Sequence, residues 1–445
     1  MKISLERYAN RIKSGCSIKA EGQVTRVVGT VIEGNGPAMP IGGLCHILPS
    51  NDTEPIYAEV IGFRDRSILL MPLDKSEGVE PGSTIIARRY EANIGVGSCM
   101  LGRILDGFGN PLDNGPPIRS EKLMPLYAQP VNPLRRSRIS EVLDVGIRSI
   151  NSLTTLGKGQ RIAIMAGSGV GKSVLLGMMA KYTKADVNVI ALIGERGREV
   201  REFIERDLGE DGLKRSVVIV ATSDTSPLTR IRGAYFAAAV AEYFRDSDKD
   251  VLMMMDSATR FAMASREVGL AAGEPPTSKG YPPSTFAHLP KLLERAGTNN
   301  NNGSITGIYT VLAEGDDMND PIADAIRAIA DGHIVLDREL ASRGHYPAVN
   351  VLSSISRLMA EVTDKEQLEK AYECRGLLAD YDKIEDLVNL GAYEKGHNSK
   401  TDYALDMIDD LNNFLRQNMN TASSIEESRQ EMVKLLTRRK MAGAK

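Results

Sequence analysis

Arg161-Ile162-Ala163-Ile164-Met165-Ala166-Gly167-Ser168-Gly169-Val170-Gly171-Lys172-Ser173-Val174 is the stretch that decides the architecture. Five apolar residues after Arg161 read as a buried strand. Glycines at 167, 169 and 171 then break it, and Lys-Ser opens an apolar run at helical spacing over residues 173–182. Strand, glycine-rich turn and helix in that order form the context of a phosphate-binding loop. The glycines let the backbone curl into a ring of N–H donors at the positive end of the helix. Lys172 supplies a point charge for β and γ phosphates, and the Ser173 hydroxyl is placed to ligate Mg²⁺. Ala166 stands where the strict pattern has glycine, but that position ends the strand and has no need of a positive φ. The competing reading is a glycine-rich turn carrying a solvated lysine.

Outward from the loop, residues 187–193, 217–221 and 251–255 read as near-continuous apolar strands. They alternate with helical patterns at 199–208, 228–244 and 258–268. That alternation predicts a parallel sheet covered on both faces. A further strand is expected over 304–312, after a loop at 299–302. Upstream, short alternating segments at 24–32, 56–63, 67–72 and 83–87, divided by Gly, Pro and Asp, predict a small β-barrel or sandwich. Residues 92–140 carry Pro116, Pro117, Pro125, Pro130 and Pro133, and few regular elements are expected there. Beyond Arg357 the strand signals stop. Leu405, Ile408, Leu411 and Leu415, then Ile425, Met432 and Leu436, recur at helical spacing and predict a helical bundle. At the N-terminus, Leu5, Tyr8, Ala9 and Ile12 form an apolar stripe on a short helix ending near Gly15. The expected parts are thus a helix over 1–17, a barrel over 18–90, an α/β core over 91–362 and a helical domain over 363–445.

Two acids fall where this core would bring chemistry to the loop. Asp256 ends the run Val251-Leu252-Met253-Met254-Met255. The carboxyl end of a buried strand is where open α/β sheets bind ligands, so Asp256 is a candidate to hold Mg²⁺ through its water shell. The alternative is an N-cap for the helix starting near Ala258. Glu195, in Gly194-Glu195-Arg196-Gly197-Arg198-Glu199, follows a strand expected beside the loop strand. It is the candidate carboxylate for orienting an attacking water, against the alternative of a solvated charged turn. Arg357, in Ser354-Ile355-Ser356-Arg357, is one arginine among many on spacing alone.

The composition excludes several classes. The 445 residues are 42% hydrophobic and 25% charged, which is ordinary globular protein. Lys and Arg total 55 against 58 Asp and Glu, so no global positive field gathers nucleic acid or an anionic membrane. Cys16, Cys45, Cys99 and Cys374 lie far apart in no CxxC pair, which argues for a reduced compartment with neither disulfides nor zinc. His46, His288, His333, His345 and His397 show no ligand spacing and read as structural. The charged N-terminus has no signal-peptide core, and no apolar run approaches the ~18 residues of a membrane span. A cytoplasmic location is expected.

Together these motifs resemble the rotary ATP synthase and hexameric transcription terminator superfamily. The resemblance is carried by residues 101–113, Gly146-Ile147-Arg148-Ser149-Ile150, Gly157-Lys158-Gly159-Gln160-Arg161, the phosphate loop and residues 194–199. Lys279-Gly280-Tyr281-Pro282-Pro283-Ser284-Thr285-Phe286 narrows it, as do residues 314–324 and Asp331-Gly332-His333-Ile334-Val335-Leu336. These are similar to the type III secretion ATPases, leaning toward the flagellum-specific export branch.

The resemblance implies a RecA-like P-loop core with an N-terminal β-barrel and a C-terminal helical domain, assembled as a homohexamer with each ATP site between subunits. It implies Ala166, Gly167, Ser168, Gly169, Val170, Gly171, Lys172, Ser173, Val174 and Tyr393 as ATP-binding positions, Tyr393 lying against adenine. Ser173 and Asp256 would serve Mg²⁺ and Glu195 would be the catalytic carboxylate. Arg196 and Arg260 would lie near the γ-phosphate, and Arg357 would be an arginine finger given to the next subunit. The stretch Asp364-Lys365-Glu366-Gln367-Leu368-Glu369 has no aromatic where relatives often place a second adenine contact.

The implied function is ATP hydrolysis driving type III export of flagellar proteins, with the chain peripherally associated with the inner face of the cell membrane. Implied partners are the export gate, export chaperones, flagellar cargo, and a stator-like regulator at the N-terminal helix. An injectisome ATPase is the near alternative. An RNA-translocating hexamer shares the core, but the acidic balance and a barrel without basic, aromatic-interleaved strands speak against it. A non-catalytic scaffolding subunit would have no use for Glu195.

Overall fold

The computed structural model describes residues 20–49, 54–74, 77–89, 92–300, 302–312, 320–396 and 398–442. The N-terminal stripe at Leu5, Tyr8, Ala9 and Ile12 lies outside them, as does His397.

Six antiparallel strands close into a barrel in the order Glu21–Val28, Val31–Gly34, Ser67–Pro72, Ile56–Arg64, Leu44–Leu48, Thr84–Arg89, the last pairing back onto the first. Side chains alternate along each strand. Cys45 and Ile47, Ala58 and Val60, Ile68 and Leu70 thus fill the interior with Val24, Ile32 and Ile85. The other face of the Ser67–Pro72 strand sends Leu69 and Met71 outward, where they meet Leu73 and, from the next domain, Leu228. The Leu73 carbonyl accepts from Ser226 Oγ at 3.0 Å and from Thr229 Oγ1, tying the barrel to the first turn of the Pro227–Arg245 helix.

The core sheet runs Val349–Ser356, Gly332–Leu336, Arg161–Ala166, Ser304–Leu312, Asp250–Asp256, Val187–Ile193, Ser216–Ala221, Ile104–Asp106. All are parallel except Val349–Ser356, which is antiparallel to its neighbour. Apolar residues on both faces of each strand produce two separate cores. Ala163 and Met165 join Val189, Ala191, Met253 and Met255 under the helices Pro227–Arg245, Ala258–Ala271 and Pro283–Leu293. Ile162, Ile164 and Ala166 join Ile190, Leu192, Leu252 and Met254 under the Lys172–Tyr182 helix and the C-terminal domain.

Several expectations are corrected. Ile104–Asp106, inside the stretch expected to be irregular, pairs with Ser216–Ala221 as the sheet's far edge, and Asn93–Val96 pairs with Lys122–Pro125. Three- and four-residue strands are too short for periodicity to register. Gly332–Leu336 and Val349–Ser356 are further strands, half-buried and so lacking the continuous apolar run. The helical segment expected over 199–208 extends across Gly197–Glu202, a π-helical turn at Phe203–Leu208, and Gly209–Lys214.

The last part is helical as expected, with Lys365–Asp382, Ser399–Leu415 and Ile425–Ala442. Its buried stripe is centred one position away from the expected one. Ala404, Met407, Leu411, Phe414 and Leu415 are buried, whereas Leu405 and Ile408 are only partly so.

Candidate functional site

The phosphate loop leaves the Arg161–Ala166 strand and enters the Lys172–Tyr182 helix as expected. Gly169 and Gly171 adopt φ of +79° and +88°, left-handed values that favour glycine. Gly167 does not, so two of the three glycines carry the conformational requirement. Gly171 is the residue that caps the helix N-terminus. Ala166 is buried at the strand's end.

Parallel strands bring their carboxyl ends to one edge, and there the candidate residues meet. Asp256 ends the Asp250–Asp256 strand at 5% exposure. Lys172 Nζ lies 2.5 Å from its Oδ1, and Thr310 Oγ1 donates to the same oxygen at 2.7 Å. The capping alternative falls to the next residue, since Ser257 Oγ accepts from Arg260 N at 3.2 Å. Glu195 follows the Val187–Ile193 strand, with its Oε1 3.6 Å from Lys172 Nζ. That Oε1 is buried and has no hydrogen-bond partner.

The charges interlock. Burial pushes the Glu195 carboxyl up to about 7, the neighbouring Asp256 charge adds to the rise, and Lys172 opposes it. For Lys172 burial acts downward, but Asp256 and Glu195 outweigh it, so the ammonium is held charged. One lysine facing two acids in a buried pocket is a site prepared for more negative charge and another cation.

The arginines divide. Gly194 turns at φ +73°, and a Cβ there would come within 2.7 Å of the Arg260 Cβ. Arg260 therefore packs directly beneath the Glu195 turn, with its Nε buried and unpartnered. Arg196 is exposed and pairs along its own helix, Nη1 to Glu199 Oε1 at 3.1 Å. Arg357 is not brought to this site. Its backbone N–H donates to Asp331 O at 2.9 Å, one residue past the Gly332–Ser356 pair. That is the end of the sheet where the Arg161–Ala166 strand begins, a strand length of roughly 17 Å from the loop. Arg357 is exposed there.

Tyr393 sits within the helical domain, its hydroxyl bonded to Thr401 Oγ1 at 2.9 Å and Asp402 Oδ1 at 2.8 Å. The aromatic that does stand on the loop is Tyr346, whose ring lies 3.4 Å from where a Gly171 Cβ would be and is 46% exposed. Sequence reading missed it, because a lone Tyr-Pro after a short helix carries no pattern. It also missed Thr310, which is one of three serine or threonine residues in the Ser304–Leu312 strand and carries no mark that sets it apart from Ser304 and Thr306.

The oxygen donors fit a small hard cation. Such an ion takes a hydroxyl, one carboxylate and the nucleotide's own phosphates, and Ser173, Asp256 and the orphaned Glu195 Oε1 provide that chemistry at one edge. His288, His333 and His345 stand elsewhere, with burial holding their pKa values down. Cys45, Cys99 and Cys374 are free thiols. Among the described residues no helix is long and apolar enough to cross a membrane.

Comparison with known proteins shows the family and the fold. Residues 146–356 match the ATP synthase alpha/beta family, nucleotide-binding domain. Residues 24–88 match that family's beta-barrel domain, and 363–434 the T3SS EscN ATPase C-terminal domain. A flagellum-specific ATP synthase of Bacillus subtilis is 54% identical over 93% of this chain and 94% of its own. The assembled ATPase EscN from the type III secretion system of enteropathogenic E. coli superposes with a TM-score of 0.88 at 43% identity, covering 94% of this chain and 100% of that one. A second structure, of assembled EscN in complex with its central stalk EscO, gives 0.86 at 42% identity over the same shares.

Proposed function

The chain belongs to the ATP synthase alpha/beta family, among the flagellum-specific and type III secretion ATPases, and on that premise we propose how its residues hydrolyse ATP to power export. The observation that carries the reading is Lys172, held between Asp256 and Glu195 at the mouth of the glycine loop. ATP phosphates entering the ring of loop N–H groups carry more negative charge than the two carboxylates and draw Lys172 from Asp256 and Glu195 to the β and γ phosphates. Ser173 and Asp256 would hold Mg²⁺, whose role is to neutralise charge on the phosphate oxygens. Glu195 Oε1, freed of its lysine, accepts a hydrogen bond from the attacking water and aims it at the γ-phosphorus. Arg260 fixes the Glu195 turn from beneath, and Arg196, exposed on the same turn, is free to swing toward the γ-phosphate. Tyr346 offers a face for the base, since aromatic stacking accepts any purine with little positional demand.

Arg357 lies at the end of the sheet opposite its own loop, so its part as a charge-stabilising finger would fall in a neighbour's site. This supports a closed homo-oligomer, a hexamer in the family's manner. The barrel would join neighbours, and the helical domain would face a central stalk-like partner and export substrates. A stator-like regulator at the N-terminal segment and peripheral contact with the cytoplasmic face of the membrane complete the proposal. The flagellar branch is favoured over the injectisome by 54% identity to the Bacillus subtilis protein against 46% to the type 3 secretion system ATPase of Xanthomonas euvesicatoria. The test is complementation of a flagellar ATPase deletion strain. Wild-type chain should restore filament export and motility, and Lys172→Ala should not. Restoration of an injectisome alone would overturn the branch assignment.

A further inference from the structure

Asp256 takes two donors on one oxygen. Lys172 Nζ at 2.5 Å and Thr310 Oγ1 at 2.7 Å both meet Oδ1, and neither bonds Oδ2. The donors differ in how freely they can leave. Lys172 sits at the start of a helix on a flexible four-carbon stem, and Glu195 stands as a second acid within 3.6 Å. Thr310 sits in the strand beside Asp256, one residue beyond the Met255–Tyr309 pair, at 0% exposure. Its β-branched side chain is stiff at χ1, and its other acceptor among the described residues is the Met255 carbonyl at 3.3 Å.

From this asymmetry we infer that Thr310 is a positioning residue for the metal acid, holding Oδ1 so that Oδ2 faces the cation's shell. The inference rests on the reading of Asp256 as the Mg²⁺ residue. When phosphates draw Lys172 away, the hydroxyl is the donor that stays, and the carboxylate keeps its orientation at the moment the cation arrives. Without it, a carboxylate that has just lost its lysine is free to rotate about its last side-chain torsion, and the cation must meet it in one orientation among several.

The experiment measures affinity of the purified full-length protein for a fluorescent ATP analogue, once with excess Mg²⁺ and once with EDTA. The quantity read is the gain in affinity that Mg²⁺ confers. Thr310→Val keeps the shape and removes the hydroxyl. It should bind metal-free nucleotide like wild type but lose about tenfold of the Mg²⁺-dependent gain, as expected for one lost hydrogen bond to a carboxylate. Thr310→Ser keeps the hydroxyl and should retain the gain. A Thr310→Val protein with the full gain, or a Thr310→Ser protein that loses it, overturns the positioning role. Asp256→Asn is the parallel control. If it keeps the full gain, the metal reading of Asp256 is overturned instead. Should the valine variant fail to fold, Thr310→Ala against Thr310→Ser makes the same comparison.

Discussion

Gly194 and Arg260 occupy one space: a Cβ on Gly194 would stand 2.7 Å from the Cβ of Arg260, on backbone turned to φ +73°. Neither partner has room to yield, because the Ala258–Ala271 helix that carries Arg260 is packed against the sheet. Gly194→Ala therefore has to push the Glu195 turn aside. The left-handed backbone alone costs roughly 1–2 kcal/mol for a residue with a Cβ. Turnover should fall by about tenfold or more with nucleotide affinity largely kept, since the loop is untouched. Steady-state hydrolysis alongside nucleotide titration checks this, and unchanged turnover would show that the turn has slack.

Binding and chemistry reside on different elements of the site. Lys172→Ala should lose both ATP affinity and hydrolysis. Glu195→Gln keeps the side chain's shape but cannot polarise water, so it should bind MgATP nearly normally while turnover drops ~10²-fold or more. Near-wild-type hydrolysis by Glu195→Gln would remove it from the mechanism.

If Glu195 is the base, its carboxyl, raised to about 7, should make activity pH-dependent. Below that value it is mostly protonated in the nucleotide-free enzyme and cannot serve as base. Because kcat/KM reports groups of the free enzyme, it should climb as pH rises through about 7. Folding runs the other way. A folded pKa above the unfolded value means the folded chain holds this proton more tightly, so the group's contribution to stability is present at low pH and is lost as pH rises toward about 7. Both slopes should flatten in Glu195→Gln. A pH profile identical in the variant would assign the titration to another group.

Arg357 should act across a subunit boundary. Arg357→Ala and Lys172→Ala rings should each be inactive, but mixed rings pair an intact loop with an intact neighbouring arginine. An arginine finger changes rate by about 10³-fold or more, so partial rescue is readily seen. Verified mixed assemblies without rescue would place the role of Arg357 in its own chain.

Arg295 and Glu242, 1% and 5% exposed, are joined by Nη2 to Oε2 at 2.5 Å and Nε to Oε1 at 2.8 Å. Arg295→Met would leave the Glu242 charge buried alone and should cost about 3–5 kcal/mol. Arg295→Met with Glu242→Leu should recover much of the loss, because the orphaned charge goes with it. Chemical denaturation of the three proteins decides it. A single variant as stable as wild type would mean that water reaches the carboxylate.

The parts of the fold legible in sequence were those whose pattern repeats. Continuous apolar strands, the glycine loop and long helices announce themselves over five or more residues. Ile104–Asp106 did not, because three residues hold no period and the surrounding prolines spoke for a loop. Glu195 and Asp256 were legible as candidates because one follows and the other ends an apolar strand, and the structure brings both to Lys172. Tyr346 was not, because what places it on Gly171 is the packing of a connection between strands. Thr310 was hidden for the same reason. Strand order in the sheet decides that it lies beside Asp256, and strand order is not written in either strand.

The placement of Arg357 at the far end of the sheet from Lys172 also has an arithmetic. If each complete pocket takes its loop from one chain and its arginine from the next, a single chain has none and an open row of n chains has n − 1. Closure adds the last pocket without adding a chain. Activity per chain then rises with every step of assembly and most sharply from one chain to two, so dilution alone switches the enzyme off. A free chain far from its assembly site would consume no ATP, with no inhibitor needed to silence it.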